Sequence, residues 1–379
     1  MSRHPFRGGG HWAIQRESVM NIKQRILGLS LALSLAVGLC VPARAADTRA
    51  EQSYEKAAAF TVKTLQAPQV SSVGGEWAVL GLRRGGAEVP EDYYDRYYAA
   101  VERLVEEKDG VLHSRKYTEY SRVILAVTAL GKDARNVAGY DLTLPLGDYD
   151  KTVRQGLNGP IWALIALDSG DYPVPANAAA KTQTTRQMYV DCILSRQLEN
   201  GAWSLSGSGD ADLTAMALTA LARYRQQEKV QTAVDRALDW LSAQQNGDGG
   251  FSAAGIATAE SCAQVLGALC ELKIEPTDSR FVKNGHTVLD ALLSYQQRDG
   301  SFAHVQGGDS NRMATEQAMC ALAARLRAER GQSGLYHMEG AGAAPRAGEQ
   351  AVQTAAAAAA AVLMLPWAPA LIALRNGAF

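Results

Sequence analysis

The chain has 379 residues, 47% apolar and 20% charged, with a formal net charge of −1, which is hydrophobic mass enough for one large domain or two ordinary ones. That balance offers no basic surface of the kind nucleic acid requires, so no nucleic-acid partner is expected. Aromatic residues make up only 7%, and Ala and Leu recur throughout, which suits closely packed helices better than a β-sandwich.

The first segment reads as a secretory signal. Lys23 and Arg25 precede an apolar run over 26–41, and Ala43-Arg44-Ala45 has the small-x-small form that signal peptidase requires. The signal therefore covers 1–45, with the mature protein starting at Ala46. Met20 stands directly before it; a later start at Met20 fits this better than a long leader region, though both fit. Leu39, ahead of Cys40, is not the small residue that lipidation of that cysteine needs. Without 1–45 the net charge becomes −6, from 32 Lys+Arg against 38 Asp+Glu. The cysteines that remain, Cys192, Cys262, Cys270 and Cys320, lie in apolar runs. Cys262 and Cys270 are roughly 12 Å apart along one predicted helix, too far to bridge. The thiols read as small core residues.

Apolar helical runs then alternate with more polar ones. Each apolar run carries an acidic or amide residue six positions before a Leu: Glu76/Leu82, Glu119/Leu125, Asn158/Leu164, Asp212/Leu218, Glu260/Leu266 and Glu316/Leu322, at gaps of 43, 39, 54, 48 and 56 residues. Between them the polar helices are clearest at 91–107, 184–196, 229–244 and 278–295. The apolar set predicts an inner ring and the polar set an outer one.

Three segments share the pattern QxxxGx(W/F): Gln197 to Trp203, Gln245 to Phe251 and Gln296 to Phe302, spaced by 48 and 51 residues. Gln closes an outer helix, Gly takes a backbone conformation closed to bulkier residues, and the aromatic ring packs between repeats. A period near fifty suits a unit of two helices. On these motifs the sequence resembles the prenyltransferase and squalene-oxidase repeat family over roughly 50–338. The resemblance implies an all-α fold, an α6/α6 toroid of six helical hairpins, assigned here to 46–339. Terpenoid cyclases, protein prenyltransferase β subunits, transcobalamin-like carriers and complement thioester domains share it, so fold alone does not assign function.

Past His337 the pattern stops. A Gly/Ala-rich linker over 340–353 leads into 354–379, where 355–374 is 20 residues without a charge, followed by Arg375. That length matches a bilayer span and predicts a C-terminal membrane anchor. The Ala-rich first half, with Pro366 and Pro369 in the second, also fits a loose tail.

The candidate ligand-binding residues are the aligned six, Glu76, Glu119, Asn158, Asp212, Glu260 and Glu316, expected to face one end of the funnel. Acids near helix starts also complement unpaired N–H groups and the macrodipole whatever the function. Class II terpenoid cyclases protonate an alkene with the middle Asp of DxDDTA. The segment Asp210-Ala211-Asp212-Leu213-Thr214-Ala215 is similar, but Leu213 replaces the last Asp. That resemblance makes Asp212 a candidate general acid and Asp210 its companion. Glu260-Ser261-Cys262 resembles half of the prenyltransferase zinc site without the matching His, so neither a metal nor a cofactor is expected. Thioester and lanthionine-cyclase signatures are missing. Transcobalamin-like carriers have a similar helix start and hold a corrinoid with the help of a small β domain, which is not expected here. A complete corrinoid site would need a partner chain, while the polar funnel by itself could hold a corrinoid, glycan or peptide. Tyr93, Tyr94, Tyr97, Tyr98, Tyr117 and Tyr120 read as outer-helix packing, Trp77 and Trp162 as core, and Arg122 as the partner of Glu119. The expected function is an exported or surface-anchored, non-catalytic binding module acting through an acidic mouth; the alternative is a cyclase-like enzyme using Asp212.

Overall fold

The computed structural model describes residues 48–338; the signal, linker and anchor expectations lie outside them. Twelve α-helices occur among the described residues: α1 Thr48–Thr64, α2 Trp77–Gly85, α3 Tyr93–Glu107, α4 Thr118–Ala129, α5 Tyr149–Thr152, α6 Asn158–Ser169, α7 Arg186–Leu194, α8 Ala211–Leu221, α9 Glu228–Gln244, α10 Ala259–Glu271, α11 Val288–Leu293 and α12 Arg312–Glu329. The even-numbered helices form the inner ring. Each packs on the next, and α12 packs back on α2 to close the circle. Outer helices brace it from outside: α1 against α12, α7 against α6, α9 against α8 and α11 against α10.

Burial follows from that placement. In α4, ten of twelve residues from Tyr120 to Ala129 are buried, and in α6 every residue after Asn158 is buried. An inner helix is covered by two neighbours in the ring and by the outer layer, so it is apolar nearly all round. The outer helix α9 instead buries one stripe, Val230, Ala233, Val234, Ala237, Leu238 and Leu241, at helical spacing.

The repeated motif is the fastener between hairpins. Gln197 Nε2 donates to the carbonyls of Gly201 and Ala233, each at 2.8 Å, and Gln245 Nε2 to those of Gly249 and Phe281 at 2.8 and 2.9 Å. Gln296 Nε2 does the same toward Gly300 at 3.2 Å and Ser53 at 2.8 Å, which ties the last repeat to the first helix. Gly300 sits at φ +95°, and a Cβ there would meet the Lys56 carbonyl oxygen at 2.3 Å. Glycine is required on both counts. Trp203, Phe251 and Phe302 are fully buried.

One expected outer helix is not continuous. Within 278–295 the chain forms a short 3₁₀ turn, an antiparallel hairpin pairing Val282–Lys283 with His286–Thr287, and only then α11. Asn284 and Gly285, at φ +50° and +84°, are the cause. Two consecutive positive-φ residues make a tight two-residue hairpin turn, and Asn-Gly is the dipeptide that best tolerates it. Ala254 and Gly255 turn a second hairpin the same way, between Ser252–Ala253 and Ile256–Ala257.

Candidate functional site

The six aligned residues all fall at inner-helix N-terminal ends. Glu76 immediately precedes α2, Asn158 opens α6, Glu119, Asp212 and Glu260 are second in α4, α8 and α10, and Glu316 is fifth in α12. Their carboxylates, however, are largely engaged within the protein. Arg122 donates to Glu76 at 2.5 Å and also to Glu119. Tyr97 Oη donates to Glu76 Oε1 at 3.4 Å. Burial pushes Glu76 up to about 7 even though Arg122 opposes it. Glu316 accepts the Gly74 N–H at 2.9 Å, and burial lifts it likewise to about 7. Glu260 meets His304 Nδ1 at 2.8 Å.

Asp210 is the N-cap of α8, accepting the Leu213 N–H at 2.7 Å. That is a structural task for a short acidic side chain at a helix start. Asp212 has its Oδ1 buried without a partner. Burial pushes it up to about 6, opposed by a Ser261 hydrogen bond and reinforced by the nearby Asp210 and Glu260.

A cavity of about 280 Å³ runs down the centre of the ring, walled by residues from all six inner helices. Of the aligned six, Asn158 is in its wall; the walls do not include Glu76, Glu119, Asp212, Glu260 or Glu316. Five of the six expected binding residues therefore lie outside this wall, and the bore itself is aromatic and amide-lined. Positions four residues on share a helix face one turn deeper. Thus Trp162, Met216 and Gln264, four past Asn158, Asp212 and Glu260, form the wall.

Trp77 and Trp162 stand 5.1 Å apart at 52°, and Trp162 meets Tyr336 edge-on at 5.9 Å. Both indoles, expected to be core, line the cavity. Facing them are the amides of Gln155, Asn158, Gln264 and Gln317. Gln264 Nε2 donates to Gln317 Oε1 at 3.2 Å, and Gln155 bonds both the N–H and the hydroxyl of Thr118. Arg122 also reaches the wall, its guanidinium held by Glu76 and Glu119. Sequence reasoning missed Gln155, Gln264, Gln317 and Tyr336. Extending the aligned register by one helical turn would have found Gln264; nothing local marks Tyr336, which comes from beyond the last repeat.

Other readings resolve simply. Tyr93 and Tyr97 are fully buried against the core, as packing requires. Cys262 is buried and its thiol pushed up to about 12 by that burial, which suits a core residue. Among the described residues no group of three or more His, Cys, Asp and Glu side chains converges as metal ligands would.

The prenyltransferase α/α toroid domain model matches residues 161–269 and 216–332. Together the two matches span 161–332, the part of the ring from α6 to the end of α12. No curated protein matches the sequence. Similar solved structures include a UGL described with dGlcA-Glc-Rha-Glc, 16% identical over 77% of this chain and 99% of that one, with a TM-score of 0.52. The unsaturated glucuronyl hydrolase of Bacillus sp. GL1 is 16% identical over 76% and 99%, at 0.48. The type II terpene cyclase MstE from Scytonema is 14% identical over 74% and 99%, at 0.49. At this level of identity the first of these likenesses shows the fold alone.

Proposed function

We propose that the chain is an exported binding protein that takes a small, neutral, polyhydroxylated ligand of sugar size in the central cavity. The carrying observation is the wall itself: two indoles and a phenol beside four side-chain amides, with the one guanidinium already paired with Glu76 and Glu119. Amides donate and accept at once, which matches hydroxyl groups. Aromatic faces cover the apolar C–H surface of a sugar ring. An anionic ligand would have to displace two carboxylates from Arg122. A volume of about 280 Å³ is at the small end of ligand pockets.

A second reading draws on one observation. The buried, unpartnered oxygen of Asp212 and its elevated pKa suit a general acid in an isoprenoid-converting enzyme.

Titration of the full chain, followed by intrinsic tryptophan fluorescence, tests the first reading. The ligands are glucose, galactose, N-acetylglucosamine, glucuronate and geranylgeranyl diphosphate. A neutral sugar is expected to bind saturably and to lose at least tenfold in affinity in Gln264→Ala. Binding confined to the diphosphate, with turnover abolished in Asp212→Asn, overturns it in favour of the enzyme.

A further inference from the structure

Beyond α12 the chain does not leave the ring. Residues 331–338 turn back as a strap across the C-terminal ends of the inner helices, gripped from several sides. Arg84 on α2 donates to the carbonyls of Leu335, Gly334 and His337 at 2.9, 2.7 and 2.8 Å. Arg327 on α12 donates to the Ser333 carbonyl at 2.8 Å. Glu271, closing α10, accepts the Tyr336 N–H at 3.5 Å, and the Met338 N–H donates to the Ser169 carbonyl of α6 at 2.6 Å. Gly334 passes so close to Glu271 that a Cβ would lie 2.1 Å from its carboxylate.

The strap carries Tyr336 to the bottom of the central cavity. A second, larger cavity of about 610 Å³ lies at this opposite end, walled by the last turns of α6, α8, α10 and α12 and by the strap. Leu335 and Tyr336 line both cavities. Leu335 is buried, and the phenol ring stands edge-on to Trp162. The two cavities share Thr219, Leu335 and Tyr336 in their walls, so the phenol from outside the repeats stands at the boundary between them.

We infer that Tyr336 is a specificity-determining residue that limits ligand length, confining the site to a single sugar ring. This rests on the sugar-binding reading above. A second ring extending along the bore would meet the phenol and the strap. Removing the phenol joins the two cavities and makes room for a longer ligand. The aromatic ring is the operative feature and the hydroxyl is not, because the Trp162 contact is made by the ring.

The test compares the full chain with Tyr336→Ala, Tyr336→Leu and Tyr336→Phe against glucose, galactose, N-acetylglucosamine, cellobiose, lactose and chitobiose. Thermal melts confirm folding, and Tyr336→Leu serves if the Ala variant does not fold. The wild type and Tyr336→Phe are expected to bind a monosaccharide at least tenfold more tightly than the matching disaccharide. The truncated variants are expected to lose or invert that preference. Monosaccharide binding with a preference unchanged by truncation overturns this inference alone. Failure of every form to bind any saccharide overturns the sugar reading and this inference together.

Discussion

The side-chain amide of Gln296 donates to the backbone carbonyl of Ser53 at 2.8 Å, joining positions 243 residues apart. The same side chain bonds Gly300 within its own turn, so one residue both shapes the last repeat and docks it on the first helix. The pair fastens on the outer layer the closure that α12 makes on α2 in the inner ring, where an open ring would leave each of those helices with an uncovered apolar flank.

Gln296→Ala is therefore expected to cost about 1 kcal/mol, the usual worth of a hydrogen bond, since the carbonyls it leaves are only partly buried. Gly300→Ala is expected to cost more, since it adds a Cβ both at positive φ and against the Lys56 carbonyl. Urea unfolding of the two variants and of Gln197→Ala separates closure from ordinary repeat docking. Loss of two-state behaviour confined to the closure variants would mark the ring as opening first.

Stability should fall as the solution is made basic. Glu76 and Glu316 are raised by burial to about 7, so the folded chain holds their protons where the unfolded chain has released them. The contribution is fully present below the unfolded carboxylate range and is lost as pH rises through 7. A higher Tm at pH 5 than at pH 8 is the expected result. Glu316→Gln keeps an acceptor for Gly74 and removes one titration, so it should reduce the pH slope by up to about 1.4 kcal/mol per unit. A slope unchanged in that variant would show that the titrating groups lie elsewhere.

Asp212→Asn separates the two functional readings. The substitution removes a charge that is buried without full compensation, so Tm at pH 8 should stay level or rise. Under the binding reading sugar affinity changes by less than about twofold, because Asp212 is not in the cavity wall. Under the enzymatic reading the chain converts an isoprenoid substrate, and this variant does not.

Export makes a prediction at the N-terminus. Expressed with its own leader, the protein should be recovered outside the cytoplasm beginning at Ala46. A cytoplasmic product beginning at Met1 or Met20 would remove export from the proposal. Partition with membranes, lost on deleting 354–379, would establish the anchor.

How much was legible in the sequence varied with the range of the physics involved. The Gln, Gly and aromatic positions of the repeat, the order of inner and outer helices and the N-terminal placement of Glu76, Glu119, Asn158, Asp212, Glu260 and Glu316 follow from local periodicity, and the structure places them accordingly. The hairpin at Asn284-Gly285 was equally local, since two positive-φ residues leave a mark in composition; the polar run around it concealed the break. Tertiary structure alone decided which way the helix faces turn. A rotation of one residue, about 100° on a helix, separates a wall position such as Gln317 from its neighbour Glu316, which turns to Gly74 instead. Only the closed ring makes a common axis for Trp77, Trp162 and Gln264 to face. Only the return of the strap brings Tyr336 beneath them, because that contact joins segments 174 residues apart with no periodic signal to announce it.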